Sequence, residues 1–268
     1  MSLNSAIEWT DATWNPTTGC DRVSAGCDHC YALTLAKRLK AMGNIRYQID
    51  GSSGTSGIGF GLTVHKDKLY EPLSWKKPRR VFVNSMSDLF HPRVPRNLIL
   101  EIFDVMGEAH QHQFQVLTKR PRRMAPIVED WCLTRAHEPL SNVWLGTSVE
   151  NQEWADRRVP LLVQAPAAVR FLSCEPLLGA ITIQDTTKLD WVIVGGESGP
   201  QARSMDAEWV RSLRDQCRSA NVAFFFKQWG GRTPKAGGRV LDGRTWDEMP
   251  KREGHQQSEA LEGTSRDA

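Results

Sequence analysis

The chain has 268 residues, 40% hydrophobic and 24% charged, with 34 basic against 31 acidic side chains for a net charge of +3. That length suits a single α/β barrel domain with a substantial core, and the near-balance of charge excludes a strongly basic domain while leaving nucleic-acid binding open. No apolar run approaches the roughly 20 residues of a membrane-spanning helix, and the opening MSLNSAIEWT lacks the basic and apolar regions of a signal peptide. A cytoplasmic, reducing location is therefore expected, where clustered cysteines serve as metal ligands rather than disulfide partners.

In chain order, a weak first strand precedes Cys20, and the glycine- and serine-rich IDGSSGTSGIGFG (49–61) reads as a mobile loop before a second strand, GFGLTVHK (59–66). Short β-branched or aromatic runs follow, each ending in a small polar cluster: RVFVNSMSD (80–88), FQVLTKR (114–120), VWLGTSVEN (143–151), VRFLSCEP (169–176), WVIVGGESG (191–199) and VAFFFKQWG (222–230). Their apolar halves do not alternate with polar residues, as expected of strands buried on both faces. Helix-like segments lie between them at 95–109, 153–165 and 206–221, the last with Asp206 as its N-cap. Up to eight β/α units predict an α/β fold of the (β/α)8 type or a partial TIM barrel, with an open doubly wound sheet as the alternative. GRVLDGRTWDEMP (238–250) reads as a C-terminal hairpin turning at Asp242-Gly243. The polar residues 251–268 read as a disordered tail, which leaves one domain over 1–250.

Barrel active sites are assembled at the C-terminal ends of the strands, where the polar clusters fall. They supply Asn84, Ser85, Ser87 and Asp88; Thr118, Lys119 and Arg120; Thr147, Ser148, Glu150 and Asn151; Ser173, Cys174 and Glu175; Gly195, Gly196, Glu197 and Ser198; and Lys227, Gln228 and Trp229. One such cluster is cheap at any solvent-facing strand end, but six in succession point to a site. Lys119 and Arg120 suit an anion such as phosphate, whereas KKPRR (76–80) precedes its strand and belongs to the opposite, structural face. Solvated surface competes as the assignment for Arg122 and Arg123. Cys174, beside Glu175, is a candidate reactive thiol or hydrogen-atom donor, with a packed small residue as its competitor. Buried structural thiols are the default for Cys132 and Cys217.

Cys20, Cys27 and Cys30 fall within eleven positions in GCDRVSAGCDHCYA (19–32). A structural zinc site takes four protein ligands; a cubane iron–sulfur cluster held by three cysteines leaves one iron open. His29 and Cys174 are the candidates for a fourth ligand, which would make the protein a zinc-stapled, non-enzymatic barrel that binds nucleic acid or a partner protein.

The triplet on an α/β barrel resembles the radical S-adenosylmethionine superfamily, with C-x6-C-x2-C in place of the usual C-x3-C-x2-C. More closely, GCDHCYA, NSMSDLFH, LTKRP, GTSVEN, RFLSCEPLL, GGESGP and FFFKQWG, spread over 8–250, resemble a phage-associated radical-SAM-like family of largely unknown function. The resemblance implies that Cys20, Cys27 and Cys30 hold a [4Fe-4S] cluster. It further implies that S-adenosylmethionine binds at the open iron and is cleaved, after one-electron reduction, to methionine and a 5'-deoxyadenosyl radical. The superfamily's Gly-Gly-Glu motif contacts the methionyl amine; here Gly195, Gly196 and Glu197 follow a late strand, and Ser85, Asp88, Ser148 and Glu150 are the alternatives. Lys119, Cys174 and Glu175 are the candidate catalytic residues. The expected partners are a reductant, a three-Cys-motif partner protein and a nucleic-acid substrate, with Trp229 offering a base-stacking face.

Overall fold

The computed structural model describes residues 5–233 and 235–250. Strand β1 (Ala12–Trp14) is followed by the short β2 (Thr17–Thr18), the cysteine loop, helix α1 (Tyr31–Ala41) and β3 (Thr63–Val64). From β4 (Arg80–Val83) the chain alternates through α2 (Arg96–Glu108), β5 (Gln113–Thr118), α3 (Pro121–Trp131), β6 (Val143–Ser148) and α4 (Gln152–Gln164). It ends with β7 (Val169–Cys174), β8 (Trp191–Gly195), α5 (Ala207–Ser219) and β9 (Ala223–Gln228). Among the described residues, no helix is long and apolar enough to cross a membrane.

Seven strands form one parallel sheet in the order β1-β4-β5-β6-β7-β8-β9. Sheet order therefore follows chain order without reversing, which excludes the doubly wound alternative, whose defining feature is a switch point. The sheet is curled into a half-barrel. Trp9 shows the curl: it packs edge-on against Phe82 of β4 (ring centroids 4.8 Å apart) and Trp191 of β8 (6.1 Å). Two cores follow from strand alternation. Val81, Val83, Phe114, Val116, Leu145, Leu172, Val192, Val194, Phe224 and Phe226 face the helix layer. Phe82, Trp144, Phe171, Trp191, Ile193 and Phe225 fill the concave side as an aromatic plug. Burial on both faces is why these strands read as continuous apolar runs.

Several expectations meet their structure here. Asp206 caps α5 by accepting a 2.8 Å hydrogen bond from Glu208 N. Asp242 and Gly243 take φ of 51° and 82°, the left-handed pair a tight turn requires, and the chain returns antiparallel along β9 through Phe226 N to Trp246 O (2.8 Å). The second β/α unit needs correction. Thr63 and Val64 leave the main sheet and pair antiparallel with Thr18 and Thr17, so seven parallel strands form instead of eight. The β7–β8 crossover, residues 175–190, carries no helix. The 49–61 segment is folded against the cysteine loop: Thr55 and Ser56 hydroxyls donate to Asp21 (2.8 and 3.0 Å), and Arg22 N donates to Thr55 O (2.9 Å). Arg80 of the first basic stretch pairs with Asp11 at the N-terminal face, as expected of a structural role. The tail expected over 251–268 lies outside the described residues.

Candidate functional site

The cysteine loop is anchored at both ends. Gly19 N donates to Met86 O (2.9 Å) and Ser87 Oγ donates to Gly19 O (2.6 Å), which holds Cys20 just beyond β4. Cys27 ends a single 3-10 turn (Ala25–Cys27), and Cys30 is the N-cap residue of α1. Cys30 thus lies at the positive end of the helix, although its sulfur makes no cap hydrogen bond. Cys27 acts electrostatically on both Cys20 and Cys30. Burial pushes the Cys20 thiol up to about 12, with Asp88 adding to the effect and Arg120 opposing it; burial also raises Cys30. Free thiols in this state are poor nucleophiles. Among the described residues, no three His, Cys, Asp or Glu side chains are grouped so as to hold a metal ion.

Three ion-paired carboxylates fasten the loop to the strand ends. Glu150, fully buried, accepts from Ser24 Oγ (2.7 Å), Lys119 Nζ (3.2 Å) and Arg158 Nη1 (3.0 Å). Gly26 lies directly over it: a Cβ there would stand 2.5 Å from Glu150 Oε1. Asp88 accepts from Thr118 Oγ1 (2.7 Å), Lys119 N (3.1 Å) and Arg120 Nη1 (2.8 Å). It thereby aims Arg120, whose Nη1 is 3.5 Å from Cys20 Sγ and whose Nη2 donates to Asp21 O (2.8 Å). Glu197 accepts from Arg203 Nε (2.9 Å) and Nη2 (2.6 Å) and lies 3.0 Å from His29 Nδ1. Burial raises the Glu197 carboxyl, but the bonds from Arg203 and His29 outweigh it and hold the group at about 2. Arg203 Nη2 also donates to Ala25 O (2.8 Å), inside the cysteine loop.

On the concave rim, Ser148, Ser173, Gly195 and Lys227 come from four adjacent strands by alternation from Trp144, Phe171, Ile193 and Phe225. Glu175 joins them, with Lys227 Nζ 2.9 Å from its Oε1 and Ser173 Oγ 3.2 Å from its Oε2. Gly195 borders it, since a Cβ there would stand 2.8 Å from Glu175 Oε1. Tyr31 reaches across to donate its hydroxyl to Ser85 O.

The candidates named from sequence divide accordingly. Cys20, Cys27, Cys30, Lys119, Glu150, Ser148 and Glu175 gather at this end of the sheet. Cys174 does not: it is fully buried in the helix-side core, on the face opposite Ser173, and its thiol is raised well above the ordinary range by burial and by Cys217. A reactive or metal-ligating role for Cys174 is therefore corrected to packing. Asp88 and Glu197 are committed to arginines and offer no free acceptor to an amine. Ser85 Oγ is engaged by Asn15 Nδ2 (3.0 Å), and Gly196 abuts Trp229 O, where a Cβ would stand 2.0 Å away. Trp229 is half-buried, with its Nε1 donating to Val240 O (2.8 Å) and its ring meeting Phe226 edge-on. Sequence reasoning missed Arg158, Arg203 and Ser24. Arg158 is one of two arginines in a helical stretch and looks like surface, yet it is 2% exposed and its guanidinium lies 4.0 Å from the Trp154 ring centroid. Arg158 and Arg203 follow their carboxylates by 8 and 6 residues, but nothing in that spacing marks them as partners.

No curated protein and no solved structure matches the chain. The model of a family described as a protein of unknown function, DUF5131, matches residues 4–250, and the chain belongs to that family.

Proposed function

We propose that the protein is a radical S-adenosylmethionine enzyme acting on a nucleobase in DNA or RNA. The observation that carries the reading is the cysteine loop: three free cysteines in one short loop at the C-terminal rim of a curled parallel sheet, with Arg120 and Lys119 beside it. The donor chemistry supports the reading, since three cysteines in one loop are the ligand type of a [4Fe-4S] cluster, although the side chains as placed are not drawn together around a metal ion. Three thiolates bring net negative charge, and Arg120 at 3.5 Å from Cys20 Sγ, Lys119 near Cys30 and the N-terminus of α1 oppose it.

Cys20, Cys27 and Cys30 would hold the cluster, which supplies reductive cleavage of S-adenosylmethionine to a 5'-deoxyadenosyl radical when bound and supplied with electrons. The rest falls to the chain. Glu150, Ser24 and Arg203 hold the loop in one shape, and Asp88 aims Arg120. Glu175, ion-paired with Lys227 and accepting from Ser173, is the carboxylate on the concave rim and the candidate contact for a polar group of the ligand. The aromatic plug beneath the rim gives the site an apolar floor.

The test is anaerobic reconstitution with iron and sulfide. The expected result is about four irons and four sulfides per chain, lost on replacing Cys20, Cys27 or Cys30 by alanine, with 5'-deoxyadenosine formed from S-adenosylmethionine under reduction. Stoichiometric zinc without broad visible absorption after reconstitution would overturn the proposal.

A further inference from the structure

A cleft of about 570 Å³ opens between the turn that precedes α2 and the first turn of α3. Arg96, Arg120, Arg122 and Arg123 line it, with Pro92 and Ile127 as apolar wall. Two of these guanidiniums are neutralised: Arg96 by Asp130 at 2.7 Å and Arg120 by Asp88 at 2.8 Å. The other two are not. Arg123 donates only to carbonyl oxygens, those of His91 and Val94, and Arg122 is exposed with no ion-pair or hydrogen-bond partner among the described residues. Asp21, the nearby carboxylate of the cysteine loop, is taken up by His91 and Arg93. α3 also begins here without a side-chain cap, and Pro121 opens it, so the positive end of the helix dipole adds to the same field.

We propose that this cleft seats the phosphodiester backbone of a nucleic-acid strand. The inference rests on the reading that the substrate is a nucleobase carried in such a strand. Three features select this ligand. The two uncompensated guanidiniums sit on the first turn of α3, with Arg96 of α2 also lining an opening far larger than one phosphate ion. The apolar wall suits sugar and base faces. Arg120 belongs both to the cleft and to the cysteine loop, so a strand seated here passes one side chain from Cys20 Sγ. Arg122 and Arg123 act as positioning residues, holding phosphates while the chemistry occurs at the rim.

The experiment measures binding of a fluorescein-labelled 20-nucleotide single strand, and of its duplex, to the full chain at 50 and 200 mM salt. Two phosphate contacts on a single strand predict about a sevenfold loss of affinity across that interval, and removal of one contact reduces it to about threefold. Arg122→Glu should show that shallower dependence and weaker binding at 50 mM. Arg122 is exposed, so its replacement leaves the fold intact, which circular dichroism and unchanged iron loading check. Arg157→Glu, on the exposed outer face of α4, is the control and should bind as wild type does. The proposal is overturned if neither strand binds at 50 mM salt, if Arg122→Glu matches wild type, or if inorganic phosphate at equal phosphate concentration displaces the strand. Strand binding without 5'-deoxyadenosine formation would sink the radical reading and keep the cleft; the reverse outcome would do the opposite.

Discussion

Replacing Glu150 by alanine removes the one carboxylate that, among the described residues, pairs with Arg158 and Lys119, and it also takes away the acceptor of the Ser24 hydroxyl. The cost falls chiefly on Arg158, whose side chain is 3% exposed, since that of Lys119 is 17% exposed and reaches water more easily. Arg158 already holds two nitrogens, Nε and Nη2, without a hydrogen-bond partner among the described residues, and would keep only Ser148 O at 2.7 Å. Stranding one partner of a buried ion pair costs about 3–5 kcal/mol. For a domain of this size that corresponds to a fall in melting temperature of roughly 6–20 °C. Urea unfolding followed by circular dichroism measures the free energy, and thermal melts check it. The double variant Glu150→Ala/Arg158→Met removes both charges and should recover at least half of the loss, because the penalty is for an uncompensated charge and not for a missing attraction. The reasoning is refuted if Glu150→Ala costs less than about 1 kcal/mol, or if the double variant is as unstable as the sum of the two single ones.

The remaining predictions concern the same loop and its surroundings. Glu197 sits at about 2 in the folded chain against an ordinary 4.5, so its stabilisation is complete above pH 4.5 and lost as pH falls from there through 2. The full shift corresponds to about 3 kcal/mol, and partial exposure of Arg203 screens it to less; Glu197→Gln should flatten the urea midpoint between pH 5 and 2.5, and an unchanged pH profile would refute the pairing. Native protein treated with iodoacetamide should leave Cys174 and Cys217 unmodified, because both are fully buried; mass spectrometry showing native alkylation of Cys174 would contradict the orientation of β7. Gly26→Ala sets a methyl group against Glu150 and should cost about 1–3 kcal/mol by overpacking, and the same change in the Glu150→Ala background should cost much less, as a double-mutant cycle in unfolding free energy would show.

What the sequence determined by itself is local or periodic. The six apolar runs are strands because a strand buried on both faces needs uninterrupted apolar residues, and six of the seven strands of the sheet are found there. The Asp206 cap and the Asp242-Gly243 turn were legible because each depends on a residue's own side chain or φ. Tertiary structure decided the rest. Thr63 and Val64 have strand chemistry, but only the chain's path beside Thr17 and Thr18 decides that they leave the main sheet. Cys174 and Ser173 are neighbours in sequence, yet the pleat sends one into the helix-side core and the other to the concave rim. Asp88, Glu150 and Glu197 look alike as strand-end carboxylates. Their partners, Arg120, Arg158 and Arg203, lie 32, 8 and 6 residues away, on a strand end, a helix and a loop. A carboxylate's availability depends on which cation the fold delivers to it, and no local pattern encodes that delivery.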